Sequence, residues 1–145
     1  MSVENVAVVR SWFEEVWNKG RVDAIDEMLA ADAIVHGLGE PGVDVQGADA
    51  FKAFFAKLRD AFPDVVFTVD QTIAEGDWVA SRWTARATHR GDTLGMPATG
   101  RRISVTGMSM ARIRDGQLVE SWNNWDIMGL MQQLGTPARS VRLID

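Results

Sequence analysis

The stretch ESWNNWDIMGLMQQLG, residues 120–135, places a single acid, Asp126, directly after Trp125 and ahead of an apolar helical run. A carboxyl group shut away from water among indole rings is suited to general acid–base work, because desolvation disfavours its charged form. Asp is equally a preferred N-cap, and IMGLMQQL reads as the helix it would cap. The two roles are compatible. Counting by strand alternation, Leu118, Glu120, Trp122, Asn124 and Asp126 share one face, and Val119, Ser121, Asn123 and Trp125 the other. The first set is taken as the inward one, which puts Trp122, Asn124 and Asp126 in a pocket; a bulge would shift that register.

Two histidines could orient such an acid. His36 alternates with Ile34 and Leu38, and His89 ends a strand beside Arg90 and Gly91. Either is also an ordinary hydrogen-bonded core residue. Trp78 and Trp83 have opposite strand parity, so one of them is expected to line the pocket, with Trp83 preferred. Met108, Met110, Met128 and Met131 read as core, and Met108 and Met110 double as a tolerant apolar wall. Phe55 joins them from a helix face. Arg82, Arg86 and Arg112 lie within strands and must meet solvent or an acid.

Composition removes whole classes of chemistry. The chain has 145 residues, no Cys and two His, which excludes disulfides, thiolate catalysis and Cys-based metal sites and argues against a His-rich one. Net charge is −5, against a nucleic-acid binder. The glycines of GLGEPGVDVQG (Gly37, Gly39, Gly42 and Gly47, with Pro41) fit neither phosphate-binding signature and read as a loop. The start MSVENVAVVRSW lacks a basic region followed by a long apolar run, so no secretory leader is expected. No stretch reaches the roughly 20 apolar residues of a membrane span, and the cytoplasm is the expected compartment.

The elements that must position these residues change character midway. Val6, Val9, Phe13, Val16 and Trp17 recur at helical spacing, with a stop at Gly20; Ile25, Met28 and Leu29 mark a short second helix. AIVHGLG is a short strand. Phe51, Phe54, Phe55, Leu58 and Phe62 form the clearest apolar helix face, ended by Pro63. After Asp64 come two hairpins, turning at EGD and at RDGQ, separated by the loop RGDTLGMPATG. Helices followed by a strand meander predict one α+β domain over residues 1–145, with a curled sheet forming a half-barrel around a small-molecule pocket.

The loop GDTLGMPATGRR, the hairpin DGQLVESW and the ending DIMGLMQQLG, together with AFPD after the third helix, resemble the SnoaL-like polyketide cyclases (ester cyclases) of the nuclear transport factor-like superfamily. The resemblance covers almost the whole chain. It implies a cone-shaped, curved mixed sheet covered by three N-terminal helices, a short C-terminal helix, and a homodimer through sheet faces. It further implies that Asp126 acts as general acid–base, without cofactor or metal, in an intramolecular aldol closure of a polyketide methyl ester. Family cyclases supply a polar partner, often His, from the strand beside the acid. Here that strand reads TGMSMAR, leaving Thr106, Ser109 and Arg112, with His36 or His89 as substitutes from elsewhere. Two other readings stand beside it: a non-catalytic binder of apolar metabolites, and an epoxide hydrolase built on an Asp-Arg-Asp arrangement that would enlist Asp115.

Overall fold

In the computed structural model, which describes residues 2–39 and 42–135, the chain begins with α1 (Ser2–Ser11). It continues as a π-helical segment, Trp12–Asn18. The wider π turn lets four large side chains, Trp12, Phe13, Val16 and Trp17, all be buried on one side. A 3.6-residue spacing anticipates the last three of these. Next come α2 (Val22–Met28), β1 (Leu29–His36), the two-residue β2 (Val45–Gln46) and α3 (Gly47–Ala61). Leu29, placed on the second helix by its spacing, instead opens β1. Pro41 of the intervening loop lies outside the described residues.

Four long strands follow: β3 (Val66–Glu75), β4 (Trp78–Thr88), β5 (Arg102–Arg114) and β6 (Gln117–Trp125). They end in the short helix α4 (Ile127–Gln133). The six strands form one sheet in the order β2-β1-β6-β5-β4-β3, antiparallel throughout except for the parallel β1–β6 pair. The expected α+β architecture, an open mixed sheet under N-terminal helices, is what forms. The β5–β6 hairpin turns at Asp115-Gly116, both at positive φ, as a tight Asp-Gly turn requires.

Helix α1 lies over β3, β4 and β5, and α3 lies over β1. Between helices and sheet, Trp17 meets Phe55 and Phe67 with ring centroids 5.1 Å apart, and Phe67 meets Trp83 at 5.0 Å. Burying each such ring contributes about 1.5–3 kcal/mol, and aromatic pairing adds to that. This aromatic layer is both the core and the wall of the cavity.

Candidate functional site

A cavity of about 110 Å³ opens inside the curl of the sheet. Trp12, Phe13 and Trp17 close it from the π-helical segment, Phe51, Phe54 and Leu58 from α3, and Trp83 and Trp125 from the sheet. No charged side chain lines it among the described residues; its polar groups are Ser81, Ser109, Ser121 and Asn123.

These four polar residues come from three adjacent strands, and three of them stand in direct register. Ser81 on β4 faces Ser109 on β5, which faces Asn123 on β6. Trp83 Nε1 donates to Ser109 Oγ at 3.0 Å, and Ser109 Oγ donates to Asn123 Oδ1 at 2.7 Å. Asn123 Nδ2 donates to the His36 carbonyl at 2.9 Å and to Ser121 Oγ at 3.1 Å. Gly107 makes room for Trp83: a Cβ there would run into the indole ring. Trp125 Nε1 donates to the Leu38 carbonyl at 3.3 Å, pinning the loop after β1 to the cavity wall.

The inward face of β6 is therefore the other one. Arg112 pairs with Glu120 but Ile113 with Leu118, so an extra residue is accommodated around Val119. That bulge reverses the alternation after Leu118, because one inserted residue moves every later side chain to the opposite face. Leu118, Ser121, Asn123 and Trp125 line the cavity. Trp122 is turned outward and is 53% exposed, and Asn124 is exposed as well. On β5, Ser109 and Ala111 point in, leaving Met108 and Met110 outside at 62% and 48% exposure. Of the substrate-contacting residues expected from sequence, Trp83 lines the cavity, whereas Trp122, Asn124, Met108 and Met110 belong to the outer face. Phe55 is buried but packs behind the wall against Trp17. Met128 and Met131 are exposed too, so the expected methionine core is absent.

Asp126 is not shut among indoles. It is exposed and does not line the cavity, although it stands between two residues that do, Trp125 and Leu130. Its Oδ1 accepts from Gly129 N at 2.8 Å, capping α4 as its residue type allows. A Cβ at Gly129 would collide with the carboxylate, so this glycine lets the acid fold over the helix end. The physical reason for the correction is that an ionised carboxylate left unpaired in an apolar cavity costs several kcal/mol, roughly, while one on the rim stays hydrated.

The two histidines are apart from this acid and from each other. His36 sits beside Trp122: its Nδ1 is 2.8 Å from Asp44 Oδ1 and its Nε2 is 3.0 Å from Glu120 Oε2. His89 is fully buried at the base of the loop between β4 and β5. Its Nδ1 accepts from Thr99 N at 3.2 Å, which places the proton of the neutral ring on Nε2. Neither ring lines the cavity. Both are positioned as structural links, and the expected orienting partner is not among them. Asp115 occupies the hairpin turn, at the other end of β6 from Asp126, and Arg112 approaches Asp77 at 3.9 Å. No Asp-Arg-Asp cluster assembles around the cavity among the described residues.

Sequence reading missed Ser81 and the inward set of Ser121 and Asn123. The signal was there in the second parity class of β6, Val119, Ser121, Asn123 and Trp125, but it took the bulge to select it.

Comparison with known proteins follows the same lines. Residues 7–134 match the family model of SnoaL-like polyketide cyclases. The chain is 32% identical over 124 residues to the aklanonic acid methyl ester cyclase DnrD of Streptomyces peucetius, covering 85% of this chain and 86% of that protein. It is 31% identical to the nogalonic acid methyl ester cyclase of Streptomyces nogalater, covering 83% and 90%. A Jannaschia sp. CCS1 crystal structure, described as a SnoaL-like polyketide cyclase, superposes with a TM-score of 0.84 at 25% identity over 94% of both chains. By sequence and by fold alike, the chain belongs to the SnoaL-like polyketide cyclase family.

Proposed function

We propose that this protein closes a ring in a neutral polyketide-type ester by an intramolecular aldol reaction, with Asp126 as the acid–base and no cofactor. One observation carries the reading: Asp126, fixed by its bond from Gly129 N, lies in the chain between Trp125 and Leu130, both of which line an uncharged aromatic cavity. The relatives named above act on methyl esters of aklanonic and nogalonic acid, which supports the substrate class. Asp126 Oδ1 is held by the helix, and its Oδ2 has no hydrogen-bond partner among the described residues. Oδ2 takes the proton from the activated carbon. The resulting enolate carbon attacks the ketone, and the new alkoxide recovers the proton.

In the free protein the Asp126 side chain is exposed to solvent water. A substrate seated in the cavity covers it and displaces that water, so desolvation accompanies binding and strengthens the base where it is needed. Product and substrate are isomers. Incubation with a panel of aromatic polyketide methyl esters should therefore give a product of unchanged mass and altered chromatographic mobility; failure of every such ester to convert would refute the reading.

A second reading, a non-catalytic binder, is favoured by one observation: no ionisable side chain lines the cavity itself among the described residues. It predicts retention of the esters without conversion. In either case the outward residues Met108, Met110 and Trp122 form an apolar patch, Met110 paired with Trp122 in register and Met108 two residues along β5. We assign it to a homodimer through sheet faces, since such a patch on one sheet suits a second copy of itself.

A further inference from the structure

Of the cavity's polar groups, two hydroxyls are left over once every hydrogen bond has been assigned. Trp83 gives its single indole proton to Ser109, and Ser109 gives its hydroxyl proton to Asn123 Oδ1. Both protons of the Asn123 amide are used, one on the His36 carbonyl and one on Ser121 Oγ. Turning the amide over would set Oδ1 against a carbonyl oxygen, so its orientation is fixed. Ser109 and Asn123 therefore have no proton left to offer a ligand. Ser121 receives a hydrogen bond, and its own proton meets no acceptor among the described residues. Ser81 Oγ makes no hydrogen bond there at all. Both residues are more than nine-tenths buried, and both line the cavity.

We propose that Ser121 is an anchoring subsite for an uncharged oxygen, a ketone, quinone or phenol, carried on the end of the ligand that enters first; Ser81 lies two strands away, across β5. The donor chain Trp83–Ser109–Asn123 polarises the Ser121 hydroxyl, since successive hydrogen bonds strengthen one another. The subsite is neutral throughout, so an ionised group would be buried there without a partner. Five residue steps, four intervening residues at the end of β6, separate Ser121 from Asp126, on the order of 15 Å along an extended chain. The two cannot hold the same reacting atom. Ser121 is a positioning residue at the far end of an elongated ligand, whose other end emerges at the rim. A cavity of about 110 Å³ is below the ~150 Å³ that takes up benzene, so seating one ring of such a ligand requires its side-chain walls to move outward. This inference deepens the functional reading above but does not involve Asp126.

The test compares acetophenone with ethylbenzene, near-isosteres that differ in one carbonyl oxygen, by titration calorimetry against wild type, Ser121→Ala and Ser81→Ala. Wild type should bind both. Ser121→Ala should weaken acetophenone about fivefold, the worth of one neutral hydrogen bond, and leave ethylbenzene within twofold. Ser81→Ala, two strands from Ser121, should leave both probes within twofold. Should the alanine variant fold poorly by near-UV circular dichroism, Ser121→Cys keeps the shape with a much weaker donor and should give the same selective loss. Equal affinities in all proteins, parallel loss of both probes, or no binding of either probe by wild type would each overturn the proposal. Asp126→Asn should bind both probes as wild type does, so a failure of the catalytic reading and a failure of the anchor are separable.

Discussion

The rings of His36 and Trp122 lie stacked, with centroids 3.7 Å apart and planes 18° from parallel, on the outer face of the β1–β6 pair. Both imidazole nitrogens point at carboxylates, Asp44 and Glu120, so the ring is doubly protonated when both bonds are made. Desolvation is the largest single influence on its pKa and pulls it down. The hydrogen bonds to Glu120 and Asp44 together outweigh it, and the net shift is upward from the ordinary 6.5. A raised folded pKa means that the charged pair network stabilises the fold fully below pH 6.5, and that this contribution is lost as pH rises through the raised value. Urea unfolding of wild type across pH 6 to 9 should show that decline, and His36→Gln should flatten it. A wild-type profile with no fall on the alkaline side would contradict the assignment.

Asp64 should behave in the opposite sense. Its Oδ1 accepts from Thr88 N and its Oδ2 from Thr88 Oγ1, both at 2.7 Å, tying the start of β3 to the end of β4. Burial is the largest influence and raises its pKa, but the two Thr88 bonds and Arg90 lower it further, for a net depression below 3.8. Its contribution is therefore present above pH 3.8 and lost as pH falls through the lowered value. Asp64→Asn retains one acceptor and should cost about 1–3 kcal/mol at neutral pH, read by denaturant midpoint. A variant as stable as wild type would show that the Thr88 bonds contribute nothing net.

Gly107→Ala is expected to act on the cavity through Trp83. The added methyl has no space unless the indole moves, which breaks the bond from Nε1 to Ser109 and disorders the polar row. Overpacking of this kind costs about 1–3 kcal/mol. Loss of acetophenone affinity together with a shifted tryptophan emission spectrum would be the signature. Unchanged emission would mean that the ring is not held where the register puts it.

On the outer face, Met108→Glu and Trp122→Glu should convert a dimer into a monomer in sedimentation velocity, because each sets like charges opposite one another across a two-fold interface. Their cavities should be intact, with acetophenone binding unchanged. A wild-type protein that sediments as a monomer would remove the dimer assignment.

Much of the fold is legible in the sequence for local reasons. The α3 face repeats Phe51, Phe54, Phe55 and Leu58 at helical spacing, and Asp115-Gly116 marks a turn that few other pairs can make. The site is legible in part. Trp83 and the capping role of Asp126 follow from alternation and residue type. The inward set of β6 does not, because a single bulged residue near Val119 inverts the parity of everything after it, and nothing in the residues themselves announces it. The row Ser81–Ser109–Asn123 is a product of register between three strands, a long-range property. His89 reads as a candidate orienting partner because its burial depends on how residues 89–101 close over it.

The central claim is that Asp126 serves as a base as well as a cap, and one pair of variants separates the two roles. Asn caps helices as well as Asp does, whereas Ala does not. Asp126→Asn should keep wild-type stability within a few tenths of a kcal/mol, roughly, because its amide oxygen still accepts from Gly129. Asp126→Ala should lose about 1 kcal/mol. Both should lose cyclisation of a polyketide methyl ester by roughly 10²–10⁴-fold, the usual contribution of a positioned base. Rate measurements on Asp126→Asn decide it: a stable, inactive protein is what the account predicts, and a stable protein that cyclises at the wild-type rate would contradict it.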